Sequence, residues 1–412
     1  MASDQTTLKR ELEALRSTLT KHALQLHSAV SANDGRIQSV DSQLTDLNAA
    51  LAALSARNPT PLPETRILKY LRFPSIHSRE DQVRDPNEGT FEWILSEATE
   101  NVLWDSDFWQ SWEKESREQA RGRFLAWLTT GNGIFHISGK AGSGKSTLMK
   151  ALTRHPRTMQ ELTRWANGKR LLVARFFFWP GSDEMQNSLT GLYRSILFEA
   201  LGKCHELIPQ VFPDAYSSFS HPTAHHDDGD SEAFFRPDQV RKAFSRLISS
   251  ALSEKYRICF FIDGLDEYGE SPEDGGRDVE HHELARQLKA WAQCPSIKIL
   301  ASSQPVFDYH FSDSMGIRLH ELTRNDIFTF TRDFLRKHPN FYLIKDNHKA
   351  LCWHVVSCAK GVFLWANSVA RLLHVSLSKQ ESLEAMKSNL SGLPKSMEKL
   401  YASLLERLDE PD

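Results

Sequence analysis

Ile134-Phe135-His136-Ile137-Ser138-Gly139-Lys140-Ala141-Gly142-Ser143-Gly144-Lys145-Ser146-Thr147 is the stretch from which the rest of the chain can be read. Its apolar opening (Ile134, Phe135, Ile137) reads as a buried strand. Gly139 to Ser146 then fits G-x-x-x-x-G-K-[ST], and Leu148-Met149-Lys150-Ala151-Leu152 opens a helix, the context that spacing needs. The glycines allow a tight turn that exposes backbone N–H groups to phosphate oxygens. The helix N-terminus adds positive potential at the same place. On this reading Gly139, Lys140, Ala141, Gly142, Ser143, Gly144, Lys145, Ser146 and Thr147 cradle a nucleotide, ATP or ADP. Lys145 reaches the β- and γ-phosphates, and the Ser146 hydroxyl ligates Mg²⁺. Such a pattern arises by chance in a chain of this length with a probability of about one or two per cent.

A second chemical centre follows 118 positions after Lys145, in Arg257-Ile258-Cys259-Phe260-Phe261-Ile262-Asp263-Gly264-Leu265-Asp266-Glu267. The run before Asp263 reads as a strand buried on both faces, as in a parallel sheet. Asp263 at its C-terminal end suits the carboxylate that holds Mg²⁺, directly or through water. Gly264 lets the backbone pass close to the phosphates. Asp266 and Glu267 stand where a side chain can orient or deprotonate an attacking water. Leu171–Trp179, Ile297–Pro305 and Ile317–Leu322 supply further strands separated by helical segments. The expectation is a doubly wound parallel five-stranded α/β sheet in the order 2-3-1-4-5 over residues 131–322.

The flanks read as helical. From Leu8 to Leu54 apolar residues recur at three and four, with Asn33-Asp34-Gly35 interrupting the register, so residues 1–57 are expected to form a helical hairpin or coiled coil. Its stripe needs a partner, which is either the chain's own NTPase domain, another copy or a partner protein. Asn58-Pro59-Thr60-Pro61-Leu62-Pro63 makes a stiff linker. Residues 58–130 are rich in aromatics (Phe73, Phe91, Trp93, Trp104, Phe108, Trp109, Trp112, Phe124, Trp127) that read as core docked on the sheet. Residues 323–412 read as a helical lid, with Thr323 as N-cap, Asp326 in the first turn and Ile327, Phe330, Phe334 and Leu335 as a buried stripe.

Bulk properties exclude several classes. With 50 basic and 53 acidic residues there is no electrostatic case for nucleic acid. No apolar run approaches a membrane span, and the N-terminus lacks a secretory pattern. The five cysteines (Cys204, Cys259, Cys294, Cys352, Cys358) show no C-x-x-C spacing and read as reduced thiols, so a cytoplasmic protein is expected. Ser217 to Pro237 carries His221, His225, His226, Asp227, Asp228 and Asp230 without a regular element to fix them, and reads as a mobile surface loop. His282-Glu283 lacks the second histidine of a zinc-protease helix.

Phe135–Lys150 and Phe260-Phe261-Ile262-Asp263-Gly264-Leu265-Asp266-Glu267 resemble the NACHT family of signal-transduction P-loop ATPases. The similarity is to the fungal NOD-like receptor branch, whose domain is similar to the nephrocystin-3-like N-terminal domain. Leu71–Ile76 with Thr90–Trp93, Gly361–Trp365 and Leu393-Pro394 extend the similarity over about residues 8 to 412. The resemblance implies an ATP/ADP switch in which ADP holds a closed monomer and ATP opens it into a signalling homo-oligomer. Three departures bear on that. The Ser-Ser-Arg-Pro expected after the fourth strand is Ser302-Ser303-Gln304-Pro305, so the γ-phosphate sensor position holds neutral Gln304. Phe363 stands where many relatives have a proline that approaches the nucleotide, and the sequence stops where a winged-helix domain would begin. Inverting a switch from 1:99 to 99:1 takes about 5.5 kcal/mol of differential binding, whereas one charged hydrogen bond contributes roughly 1.5–3 kcal/mol. Weak nucleotide discrimination and slow hydrolysis are therefore expected. The alternatives are a nucleotide-binding scaffold with little turnover, or a P-loop kinase, against which the Asp263–Glu267 run and the lid argue.

Overall fold

The chain divides into two compact units, Met1–Thr65 and Arg66–Asp412. A computed structural model describes residues 62–96, 107–181, 183–221, 231–249, 255–269, 276–311 and 315–394, with Lys399. The expected helical hairpin over 1–57 lies outside the described residues.

In the second unit β1 (Gly133–Ser138), β2 (Arg170–Phe177), β3 (Tyr256–Asp263), β4 (Ile297–Ser303) and β5 (Met315–Arg318) form one parallel sheet. Its order is β2-β3-β4-β1-β5. The architecture is the expected one, but the order 2-3-1-4-5 is corrected: β4 lies between β3 and β1. The pairing decides it: β4 bonds β1 from Gly133 to Ser138 and β3 from Ile258 to Ile262, whereas apolar runs buried on both faces look alike in either order. All seven residues of β4 are buried, as a strand requires when both its edges and both its faces are covered. The last strand is also shorter than expected, ending at Arg318 before a 3₁₀ turn over Leu319–Glu321. The register pairs Ser138 with Ser303 and Ile262 with Ala301, so the C-terminal ends of β1, β4 and β3 finish side by side.

Side chains alternate between two covered faces with the period of a strand. Phe135, Ile137, Cys259, Phe261 and Leu300 pack on α3 (Asp107–Thr129), α4 (Lys145–Arg154) and α5 (Pro156–Ala166), which follow α1 (Pro63–Leu71) and α2 (Ser78–Gln82) in the chain. Ile258, Phe260, Ile262, Ile299 and Ala301 pack on α6 (Leu189–Lys203), α7 (Pro237–Leu247) and α8 (Gly276–Ala292). Lys298 in β4 is fully buried, and its ammonium donates to the carbonyls of Trp127 and Leu128 at the C-terminal end of α3. The Trp165 ring lies 4.4 Å from that ammonium. Helix-end carbonyls and an aromatic face thus replace water around the cation, and burial still pushes its pKa down to about 8.

Phe73, Phe91, Trp93, Phe124 and Trp127 are core, as the sequence implies, whereas Trp112 is partly exposed. The side chains of Trp104, Phe108 and Trp109 lie outside the described residues. The lid comprises α9 (Arg324–Arg336), α10 (His348–Ala359), α11 (Phe363–Ser378) and α12 (Leu383–Ser391) around its own apolar cluster. Ile327 and Leu335 are buried there with Phe328, while Phe330 and Phe334 are half-buried. Thr323 precedes α9, but its hydroxyl makes no cap hydrogen bond. Of the His- and Asp-rich segment, Ser217–Ser220 completes a helix begun at Pro213, and 222–230 lie outside the described residues. Among the described residues no group of three or more His, Cys, Asp or Glu is placed to hold a metal, and no helix is long and apolar enough to cross a membrane. The five cysteines are unbridged.

Candidate functional site

The loop after β1 is shaped by its glycines and closed by its own backbone. The amide of Gly139 donates to the Ser303 carbonyl at 3.1 Å, extending the β1–β4 pairing by one residue. Gly142 and Gly144 adopt φ of +71° and +93°, a left-handed backbone that a side chain would strain. A Cβ at either would also collide, 2.8 Å from Leu364 Cβ at Gly142 and 2.8 Å from Phe91 Cζ at Gly144. Ser143 N donates to Lys140 O, and Leu148 N to Gly144 O, which starts α4. The first N–H groups of that helix, at Lys145, Ser146 and Thr147, have no intrahelical acceptors by geometry. Ala141 is exposed, and the Lys140 ammonium turns to the Lys360 carbonyl, 3.1 Å away. Lys145 folds back over the loop, donating to Gly139 O at 2.7 Å and Lys140 O at 3.2 Å. Burial pushes its pKa down, against the pull of Asp266, Asp263 and Glu267.

Those three carboxylates are differently engaged. Asp263 is 1% exposed at the end of β3. Ser302 Oγ donates to Asp263 Oδ1 and accepts from Gly264 N, and the Ser146 hydroxyl also bonds the carboxylate. Burial pushes Asp263 above the usual carboxylate range, while these hydroxyls and Lys145 hold it down. Asp266 is bound twice by Gln304, through its backbone N and its Nε2, each at 2.8 Å. Glu267 is raised to about 7 by burial, opposed by Arg79 and reinforced by Asp263 and Asp266. Its Oε2 is buried with no hydrogen-bond partner among the described residues.

The loop, Asp266, Glu267 and the lid line a cleft of about 1560 Å³, bounded on the lid side by Phe330, Phe363 and Leu364. Leu364 N at the start of α11 donates to the Gly142 carbonyl at 3.0 Å. Phe363 and Phe91, with centroids 5.4 Å apart, flank Gly144. The phosphate-loop motif alone does not single out Ser302, Phe91, Leu364 or Arg79; Phe91, Leu364 and Arg79 reach the cleft through tertiary packing, and Ser302 is buried behind it against Asp263. The Thr90–Trp93, Gly361–Trp365 and Ser302–Pro305 runs hold Phe91, Leu364 and Ser302, whereas Arg79 is only bracketed, by Leu71–Ile76 and Thr90–Trp93. The residues fit a nucleotide with Mg²⁺. The loop is a cradle that side chains at 142 and 144 would fill, Ser143 Oγ is buried and unpartnered, and Ser146 with Asp263 supplies hard oxygen donors.

Residues 119–304, a little under half of the chain, match the family described as Nephrocystin 3, N-terminal. The match takes in the loop, Asp263–Glu267 and, at its last position, Gln304. No curated protein matches the chain. A solved structure of PCH-2 from C. elegans aligns with 72% of this chain and 72% of its own at 15% identity, with a TM-score of 0.27, too loose a superposition to carry an argument. Residues 119–304 are thus a P-loop NTPase-like domain similar to the nephrocystin-3 N-terminal domain.

Proposed function

We propose that this chain is an ATP- and ADP-binding signal-transduction NTPase that acts as a nucleotide-gated oligomerisation switch, of the kind used in fungal non-self recognition. The observation that carries the reading is the seat of the lid on the phosphate loop: Leu364 N bonds Gly142 O, and Phe363 and Phe91 close over Gly144. A group that reshapes the loop must therefore also move the lid, which couples occupancy to conformation. The loop amides and Lys145 bind the phosphates, and Ser146 and Asp263 hold Mg²⁺. When bound, that ion neutralises charge on the phosphate oxygens. Glu267, carrying an unpartnered oxygen and a pKa near neutrality, takes the proton of the attacking water, while Asp266 fixes Gln304.

A second reading, a nucleotide-binding scaffold with little turnover, is favoured by Gln304 itself, which is neutral, exposed and spent on Asp266. Light scattering with Mg-ADP and then a non-hydrolysable ATP analogue separates the two, with Lys145→Ala as control. A switch gains mass with the analogue only. A constant mass with either nucleotide, alongside tightly retained ADP, leaves the scaffold.

A further inference from the structure

The acidic cluster and Lys145 are not the whole charge inventory of the cleft. Arg79, in the five-residue α2, lines it alongside the phosphate loop, Gly264 and Glu267. Among the described residues its guanidinium forms no ion pair, and its Nε is buried with no hydrogen-bond partner. The guanidinium carbon lies over the Trp179 ring, 5.7 Å from its centroid, which is within cation–π range. It acts on Glu267 more strongly than Lys145 does, and on Asp263 less. Arg79 is therefore on the Glu267 side of the cleft, while Lys145 sits over the loop carbonyls.

The neighbours of Arg79 keep it there. Glu80, 3% exposed, is paired at 2.9 Å with both Arg154 of α4 and Arg175 of β2. Just upstream, Ser75 O accepts from Gln186 Nε2 and Ser75 Oγ donates to Asp183. The short helix is thus bolted to the domain on both sides by polar contacts, and the adjacent position presents a guanidinium that, among the described residues, has no ion pair and leaves its buried Nε unbonded. A buried donor without a partner carries a desolvation cost, which a ligand oxygen relieves.

Resting on the nucleotide reading above, we propose that Arg79 is the terminal-phosphate sensor of this cleft, donating its guanidinium to the γ-phosphate of ATP and to nothing in ADP. The side chain at 304, spent on Asp266 and uncharged, leaves that task open. A planar guanidinium suits a phosphate by two-pronged donation. Its place beside Glu267 brings sensor and proton acceptor to the same end of the nucleotide.

The test is equilibrium titration of the full chain with fluorescent ADP and a fluorescent non-hydrolysable ATP analogue, both with Mg²⁺. It compares wild type, Arg79→Gln and Arg79→Met, the last of which keeps an apolar stem over Trp179. Each variant is melted in parallel, so that one that fails to fold is replaced by the other. The expected result is a loss of about ten- to a hundredfold in affinity for the ATP analogue, with ADP affinity unchanged within about twofold. Equal losses for both nucleotides would mark Arg79 as structural, and no loss would leave it idle; either overturns the proposal. Failure of wild type to bind either nucleotide overturns the nucleotide reading itself. That result is read in the wild-type arm, independently of the variants.

Discussion

On the proposed reading, burial makes Glu267 the base of the site. Its carboxyl is raised to about 7 by desolvation, and one oxygen has no partner. Below that value the group holds its proton and cannot accept another; above it the base is available. ATP hydrolysis by this chain should therefore rise with pH through about 7 and level off, and Glu267→Gln should lower the plateau by about a hundredfold or more. Single-turnover hydrolysis across that range measures both, and a profile that is flat or falls with pH rejects the assignment. At this scale the loop from Gly139 to Thr147 and Asp263 were legible because their chemistry is local: glycine dihedrals, a helix start and the end of an apolar strand. The different engagement of Asp266 and Glu267, one held by hydrogen bonds and the other with an open oxygen, was not. It depends on Gln304, 38 residues from Asp266, whose amide and backbone take one carboxylate and leave the other open. Arg79 was invisible for the same reason, since only packing reveals that a cation from outside the strand-loop-helix unit enters the cleft.

Elements carry the next set of constraints. The strands were readable from their apolar runs, but a run buried on both faces does not state its neighbours, and so β4 was misplaced by one position. Its insertion between β1 and β3 has a chemical result, because it brings Ser302 beside Asp263 and Ser303 beside the loop. The join between α3 and the lid was equally hidden. Asp326, expected only to complement the dipole of α9, instead accepts from Phe91 N at 3.1 Å, Trp93 Nε1 at 2.9 Å and Arg117 at 3.1 Å. Arg117 also pairs with Glu113 at 3.0 Å. Burial outweighs that pairing and raises Glu113 to about 7. The folded state thus keeps a proton that the unfolded chain has already released. Stability should fall by about 3 kcal/mol as pH rises from the ordinary glutamate value towards 7 and beyond. Glu113→Gln should flatten that slope in denaturant titrations run at several pH values. An undiminished slope would mean that another group carries it.

On the scale of the whole second unit, the features converge on one joint. Phe91 holds a left-handed backbone (φ 62°) that is unusual for a bulky residue. Asp326 of the lid fixes its amide, and its ring presses on Gly144 beside Phe363. One residue thereby joins the aromatic-rich stretch of residues 58–130, the phosphate loop and the lid. Truncating a buried phenylalanine costs about 3–5 kcal/mol, and 1.4 kcal/mol is about a tenfold change in an equilibrium. A lid closed ninety-nine times in a hundred needs only about 2.7 kcal/mol to become evenly populated. Phe91→Ala should therefore release the lid without any nucleotide. The reporter is the Leu364 amide, whose acceptor is the Gly142 carbonyl across the joint. Its hydrogen exchange should quicken by about a hundredfold in the variant, while amides of β3 and β4 in the sheet core keep their wild-type rates. If Leu364 exchanges as slowly as before, the lid is held by its own cluster rather than by this clasp, and occupancy of the loop has no lever on it. If sheet and lid amides quicken together, the substitution has destabilised the fold as a whole, and the joint is not a separable hinge.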